Sequence, residues 1–546
     1  MRPLPELTPE NEFFWTSGAE GELRMQRCAD CSQLNHPPQP ACRRCGGTLG
    51  IDALSGHGTI VGVTVNHQQW LPDLAPPYVI ALVALDEDPL VRLTTQIVDC
   101  DPARVRIGQR VAVRFERHDD VWLPVFAPLE EADETRTVFP EPKIPGPPAR
   151  VSREKFESRV ALTGIGMSQV GRRLGRDPLA LTVEACRAAI ADAGLELADI
   201  DGLSTYPGGG MTSSGMSEGG VPAVAEALAL SPTWFAGGGE TAGQGGSIVN
   251  AMLAVASGLC RHVLCFRTVW ETTHAMRAQR RSAAGIAAPR RVSGEMQWRL
   301  PFGAMSAAVW IALQASHHMK RFGLTREQLG WIPITARKHA GLNPDAIYRD
   351  PIDLAAYLDA RIVTTPFGLY DCDVPCDGAV AVIVSAAETA RDRPSPPVLV
   401  EAVGTHLAER FSWDQGTLLH EPLVRGPAAH MWSRTDLRPR DVDVACLYDG
   451  FSFNCLSWIE ALGFCAIGEG GDFVEGGSRI QTGGDFVLNP HGGQLSAGRL
   501  HGYGFFHEAI LQLRGRAGAR QVEQARTAVV TTGGGHPGGA VLLVRG

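Results

Sequence analysis

Four cysteines come first: Cys28-x-x-Cys31 and Cys42-x-x-Cys45, with Gly46-Gly47 closing the second pair. Each pair spans a tight knuckle, and thiolates held this way converge tetrahedrally on one zinc ion. Four ligands leave no open coordination position, so such an ion is structural, one per chain, and performs no chemistry. Two chance pairs of buried cysteines, or redox Cys-x-x-Cys motifs, are the competing readings. Farther along, Tyr448-Asp449-Gly450, Asn489-Pro490-His491-Gly492-Gly493, Gly498-Arg499-Leu500-His501-Gly502 and Thr531-Thr532-Gly533-Gly534-Gly535-His536 set titratable side chains among glycines. Glycine, at 62 of 546 residues, concentrates there and at 237–246, where the backbone approaches something closely. Titratable groups beside open amides suit general acid–base and oxyanion chemistry.

The elements that must position these groups fall into two modules. Residues 130–154 read as a linker, acidic from Glu130 to Glu134 and then spaced by Pro140, Pro142, Pro145, Pro147 and Pro148. Before it, Thr59–Val65, Tyr78–Leu85 and Arg110–Phe115 are short β-branched strands between turns, the spacing of a small barrel. After it, strands at Val160–Gly166, Asp201–Ser204 and His262–Phe266 alternate with helices at Ala180–Ala193 and Gly246–Gly258, which predicts a mainly parallel sheet covered by helices. The segments 207–220 and 277–299 read as loops.

Composition excludes several classes. Hydrophobic residues at 44% and charged residues at 20% fit a globular chain and not a disordered or fibrous one. A net charge of −9 gives no chain-wide footprint for nucleic acid or a membrane surface. The apolar runs are far shorter than a membrane span, and residues 1–14 hold no signal-peptide core, so a cytoplasmic protein is expected. Thirteen unevenly spaced cysteines argue against a disulfide framework and for a reducing compartment.

Phe13-Phe14-Trp15, then Gly21–Cys28, a zinc ribbon and a small barrel resemble the OB-fold, zinc-ribbon proteins that accompany thiolase-like enzymes, over roughly residues 10–128. OB barrels also bind nucleic acid, but this one lacks a basic stripe and aromatic platforms, so no nucleic-acid partner is expected. The rest of the chain resembles the thiolase superfamily through four ordered segments: Thr365–Asp371 with Asp377-Gly378-Ala379, Tyr448–Phe451, Asn489–Gly502 and Thr531–Gly539. The resemblance implies a multidomain chain: N-terminal helix and zinc ribbon over 1–50, OB-like β-barrel over 51–129, linker over 130–154, and an α/β thiolase fold over 155–546. That fold has two βαβαβαββ halves, about 155–390 and 391–546, in five layers, and implies a homodimer or higher homo-oligomer.

The chemistry departs from a thiolase. The nucleophile's position falls on Ala242, the terminal cysteine's on Thr531 and the histidine of the Gly-His-Pro motif on Arg499. An alanine forms no acyl-enzyme, and ordinary ping-pong thiolysis is excluded. Cys260 and Cys265 read as core cysteines, and Cys372 and Cys376 as structural. Tyr448 with Leu495–Gly502 resembles the thiolase-like aldolases of steroid side-chain degradation, which cleave a β-hydroxyacyl-CoA to a carbonyl compound and a shorter acyl-CoA. That reaction needs a base for the hydroxyl and an electrostatic site for the thioester enolate, and no covalent nucleophile. The resemblance implies Tyr448 as acid/base, His501 sharing the proton, and amides near Gly534 and Gly535 holding the thioester oxygen, with coenzyme A entering as part of the substrate. Arg499 stands where those aldolases carry a second tyrosine; its fixed charge would depress Tyr448 or hold an anion. His536 is a further acid/base candidate; Asp449, His491 and Ala242 are placed at substrate. Each has a plainer reading: Tyr448 as a core tyrosine, the histidines bonded to local backbone, Asp449 orienting its loop. Arg277, Arg280, Arg281, Arg290 and Arg291 read as a solvated basic face, with CoA phosphates as the alternative. A non-covalent C-acyltransferase or Claisen-type enzyme and a non-catalytic acyl-CoA or lipid-binding protein are the competing functions.

Overall fold

A computed structural model describes residues 2–129, 140–141, 143–147, 154–209, 214–282 (side chains to 278), 291–390, 394–410, 412–421, 423–534 and 537–546. The first module opens with a short helix, Glu12–Thr16, that buries Phe14 and Trp15. A three-stranded ribbon follows, with Leu23–Cys28 at its centre. The barrel has five strands: β1 (His57–Asn66), β2 (Tyr78–Leu85), β3 (Asp88–Ile97), β4 (Arg110–His118) and β5 (Val121–Pro128). It runs β1-β2-β3-β5-β4 and closes by pairing β1 with β4, Gly58 opposite Val111. Closure removes the free sheet edges that an open five-stranded sheet would expose.

The large module is built on one ten-stranded sheet: β6 (Val160–Met167), β7 (Gly202–Thr205), β8 (Trp234–Gly237), β9 (His262–Trp270), β10 (Asp377–Ala386), β11 (Val398–Gly404), β12 (Val444–Cys446), β13 (Val487–Leu488), β14 (Thr527–Thr532) and β15 (Gly539–Arg545). Its order is β8-β7-β9-β10-β6-β11-β15-β14-β12-β13. Each half of five strands reads 3-2-4-5-1 from its outer edge, and the halves meet where Ala161 and Leu162 of β6 pair with Leu399 and Val398 of β11. The sequence expectation of a mainly parallel sheet needs correction. Pairing is parallel in β7–β8, β7–β9, β12–β13 and β12–β14; it is antiparallel around β10 and β15, because the last strand of each half returns between two neighbours in the opposite sense, and at the β6–β11 junction, where the two halves meet.

The helices form where their caps and apolar faces dictate. Helix α1 (Pro178–Asp192) begins with the Asp177 carboxylate accepting from Ala180 N–H and with proline in the first turn, and it buries Leu181, Ala185, Cys186 and Ala189 on the sheet. Helices α2 (Gly246–Ala256) and α4 (Tyr503–Leu513) are almost wholly buried, and Ser247 Oγ and Tyr503 Oη join them at 2.6 Å. Helix α3 (Ala307–Phe322) packs Val309 and Leu313 into the barrel's core.

The modules are welded. A hairpin of the large module, Ile362–Thr364 with Phe367–Gly368, extends the barrel sheet by pairing Thr364 with Asn66 of β1. Thr64 Oγ1 meets Thr364 Oγ1 at 2.6 Å, and the Val65 N–H donates to Thr365 Oγ1 at 2.8 Å. Trp15 stacks on Trp298 with ring centroids 4.9 Å apart. Arg291, read from sequence as part of a basic face or a phosphate contact, instead binds Asp120 of the barrel and the carbonyl of Pro5.

Candidate active site

Sites in open α/β sheets form beyond the carboxyl ends of the strands. Here β12 delivers Tyr448 and Asp449, β13 delivers Asn489, β14 delivers Gly533 and Gly534, and β9 delivers Glu271. Asn489 is the staple: its side chain accepts from Leu447 N–H (2.8 Å) and donates to Leu447 O (2.9 Å) and to Asp449 Oδ2 (3.0 Å). Asp449 Oδ1 accepts the Gln494 N–H at 2.8 Å. Gly493 has φ +60°, and a Cβ there would fall 1.8 Å from Asp449 Oδ2, so only glycine lets the loop close on the carboxylate. Asp449 therefore orients its loop; burial pushes its carboxyl up to about 7 against the pull of the Gln494 amide.

Tyr448 is buried, with its backbone N–H bonded to Thr531 Oγ1 at 2.9 Å. Threonine at the terminal-cysteine position is thus an anchor for the tyrosine. Burial raises the phenol far above its usual range, the Asp373 charge raises it further, and Arg499 opposes them. Phe505 meets both Tyr448 and His491 edge-on, at 6.3 and 5.5 Å, so His491 reaches the tyrosine through that ring. His491 lies in a cavity of about 30 Å³ with Gln494, Gly498, Gly502 and His507, and burial pushes its imidazole down to about 3.

Arg499 is only partly exposed, and its guanidinium is already paired with two carboxylates. Nε and Nη2 bind Glu271 at 2.9 and 2.6 Å, and Nη1 binds Asp373 at 3.0 Å. Burial disfavours its charge, yet Asp373 and Glu271 together hold its ionisation above the usual arginine range. Asp373 is pushed up to about 7 by burial, with Arg499 opposing and Glu271 adding. Neither acid was foreseen; Glu271 opens the helix that follows β9, Asp373 lies on a loop before β10, and both are remote in sequence and carry no motif. His501 takes positive φ (47°); its N–H donates to Gln494 Oε1 at 3.0 Å and its Nδ1 contacts Arg267 at 2.6 Å.

Ala242 lies where Thr532 and Gly539 pass: Thr532 Oγ1 is 3.5 Å from the Ala242 carbonyl, and a Cβ on Gly539 would fall 2.2 Å from it. Gln244 brackets Gly533, donating to its carbonyl at 2.8 Å and accepting its N–H at 3.1 Å. Ala242, Gln244, the Gly533–Gly534 turn, Tyr448, Gln494 and His501 therefore form one connected set. Gly535 and His536 lie outside the described residues, as do Arg290, the side chains of Arg280 and Arg281, and most of the expected linker. Cys260 and Cys265 are core residues, their thiols pushed up by burial. Cys376 is buried too.

Remote from this set, the sulfurs of Cys28, Cys31, Cys42 and Cys45 all lie within 4.8 Å of one another, with Cys28–Cys45 at 3.5 Å and Cys31–Cys42 at 3.6 Å. Zinc–sulfur bonds of about 2.3 Å in a tetrahedron put sulfurs about 3.8 Å apart, so this cluster fits the ion.

Two mirrored five-stranded halves, two buried helices and glycine loops around a tyrosine in place of a thiol define a thiolase-superfamily C–C lyase. Family models agree in parts: "Thiolase C-terminal domain-like" over 417–545, "ChsH2, C-terminal OB-fold domain" over 52–116 and "ChsH2, rubredoxin-like zinc ribbon domain" over 15–50. A steroid side-chain-cleaving aldolase of Thermomonospora curvata is 34% identical over 70% of this chain and 97% of its own. The 17-hydroxy-3-oxo-4-pregnene-20-carboxyl-CoA lyase of Mycobacterium tuberculosis is 32% identical over 71% of this chain and all of its own length. The solved "Ltp2-ChsH2(DUF35) aldolase" superposes with a TM-score of 0.62 at 32% identity, over 71% of this chain and 98% of that one. The chain belongs to the thiolase-like steroid side-chain-cleaving aldolase family, with a zinc-ribbon OB module in front of the aldolase module.

Proposed function

We propose that the protein cleaves the Cα–Cβ bond of a β-hydroxyacyl-CoA with a bulky, steroid-like side chain, giving a carbonyl compound and a shorter acyl-CoA. The observation that carries this reading is Tyr448, buried against Gly534, in a site whose nucleophile position is Ala242. The β-hydroxyl proton passes to Tyr448 Oη as the tyrosine's own proton passes to Asp373. The C–C electron pair becomes the thioester enolate, held by the Gly534 amide, and the proton returns through Tyr448 to the α-carbon. Atoms and charge balance with no further reagent. A carboxyl near 7 is matched to this task at neutral pH, whereas a phenol raised by burial relays a proton better than it stores a charge.

CoA esters with and without a β-hydroxyl form the test. Turnover of the hydroxylated esters alone, with no acyl adduct on the protein by mass spectrometry, is expected. Acyl transfer to an acceptor would indicate the acyltransferase, and binding without turnover of any ester would indicate the carrier.

One structural zinc per chain is proposed on the four-cysteine cluster, and a homodimer on the edge strand β8, whose Phe235 is 67% exposed beside Leu253 and Leu259 at 47% and 61%. None of the thirteen cysteines forms a disulfide, in keeping with a cytoplasmic setting. No described helix is long and apolar enough to cross a membrane.

A further inference from the structure

Asp371 is fully buried, two residues before the carboxyl assigned to take the tyrosine's proton. Its Oδ1 accepts from Ser452 Oγ at 2.6 Å and from Tyr357 Oη at 2.9 Å, and its Oδ2 accepts from the Gly368 N–H at 2.8 Å. All three partners donate, which suits an ionised carboxylate. Arg326 supplies opposing charge, with its guanidinium 5.4 Å from the centroid of the Tyr357 ring. Closing a local turn would take only the Gly368 bond. Ser452 is 81 positions away, at the start of the helix Ser452–Ala461 that follows Tyr448, and its bond needs another explanation.

That explanation lies in the chain beside it. Cys372 forms a single antiparallel bridge with Phe451, and the Asp373 N–H donates to the Gly450 carbonyl at 3.0 Å. Asp371 with Ser452, Cys372 with Phe451 and Asp373 with Gly450 are thus successive rungs of one short antiparallel ladder. Its inner end touches the tyrosine: a Cβ on Gly450 would fall 2.8 Å from Tyr448 Cε1 and 3.3 Å from its Oη. Its outer end is closed by the Asp371 carboxylate. So short a pairing specifies its register weakly, and a slip of one residue would turn the Asp373 side chain to the opposite face, away from Arg499. A buried, charge-assisted bond at the end removes that freedom.

We propose that Asp371 is a positioning residue that pins this ladder and so presents the Asp373 carboxylate to Tyr448. The pinning stands by itself; its effect on turnover rests on the retro-aldol reading, in which Asp373 accepts the proton. The charged and titratable groups facing Asp373 are Arg499 and Glu271, Tyr448 and Asp449, and the thiols of Cys372 and Cys376. Burial outweighs them in holding its carboxyl up. A loosened ladder admits water there, so the carboxyl falls towards the ordinary carboxylate range and stays ionised to lower pH.

Hydrogen–deuterium exchange of the full chain, read by mass spectrometry, tests the pin without any substrate. Asp371→Asn sets an NH2 group against a donor, and Ser452→Ala, the milder change, deletes the end rung alone and serves if Asp371→Asn does not fold. Peptides over 371–374 and 450–453 should exchange about tenfold faster or more in both, the worth of a bond to a charged group. Tyr357→Phe keeps the Ser452 bond and should leave those peptides protected. Unchanged exchange in Asp371→Asn and Ser452→Ala would overturn the pin. In kinetics, both variants should lose about 10- to 100-fold in kcat with KM near wild type, and the acid limb of kcat/KM should move to lower pH. Ser452→Thr, which keeps the hydroxyl, should restore the ladder, the limb and most of the rate. A smaller fraction of folded enzyme would lower the rate at every pH alike, so an unmoved limb would overturn the positioning role. If the wild-type enzyme turns over no β-hydroxyacyl-CoA, the retro-aldol reading fails by itself, and exchange at the ladder then upholds or overturns the pin.

Discussion

Gly534 lies against the ring of Tyr448: a Cβ built on it would fall 2.0 Å from Tyr448 Cε1 and 2.7 Å from Cζ, on a backbone with φ of +74°. No side chain fits between the turn and the phenol. Gly534→Ala should displace the ring and lower kcat about 100-fold or more, since misplacing a catalytic group by about 1 Å costs that much. Strain in the left-handed backbone adds about 1–2 kcal/mol of destabilisation. Steady-state kinetics beside thermal melting separate the two effects. Wild-type turnover in the variant would remove Tyr448 from the reaction.

Tyr448→Phe deletes only the hydroxyl. Turnover should fall by about 10²–10⁴, the usual contribution of a general acid–base, while the Kd for a non-cleavable CoA thioether stays near wild type. Isothermal titration with the thioether checks binding. Parallel losses of binding and rate would mean that the ring packs and does no chemistry.

The Asp373 carboxyl, pushed up to about 7, must be ionised to accept a proton. Protonation therefore switches the reaction off, and log kcat/KM should fall with decreasing pH below about 7. Asp373→Asn should flatten that limb as well as lower the rate. A pH profile flat from about 5 to 8 would eliminate Asp373 as the acceptor, because a group ionising near its midpoint has to leave a limb.

Removing the cation that Glu271 and Asp373 share tests the clamp. Arg499→Met leaves two buried carboxylates facing each other, which should destabilise the fold by about 3–5 kcal/mol in denaturant titrations. With its opposing cation gone, Asp373 rises further, and the acid limb should move to higher pH. An unchanged limb would show that Arg499 does not act on the reacting groups.

Metal analysis should give one zinc per chain in the wild type and none in the Cys28→Ser/Cys31→Ser variant. Because the ribbon's fold depends on its ligands, the variant should lose its first unfolding transition and expose Trp15, read by fluorescence. Retention of zinc by the double variant would reassign the site.

Much of the site was legible because the chain writes it locally. Tyr448, Asp449 and the glycines of 489–502 and 533–534 sit within short stretches whose residue types declare their purpose. The partners of Arg499 do not: Glu271 and Asp373 are 228 and 126 positions away, and nothing in their flanking residues ties them to an arginine. The strands were legible from β-branched runs, but the direction of the last strand in each half is not encoded by periodicity, so the parallel reading failed there. Thr364 beside Asn66 was equally invisible, since two residues in a short pairing leave no pattern.

That pairing joins the barrel to the segment that runs on, within nine residues, to Asp373. Two modules held this way on one chain meet at a fixed effective concentration, however dilute the protein becomes. The union of barrel and aldolase module should then be indifferent to dilution, and their stoichiometry is settled at translation.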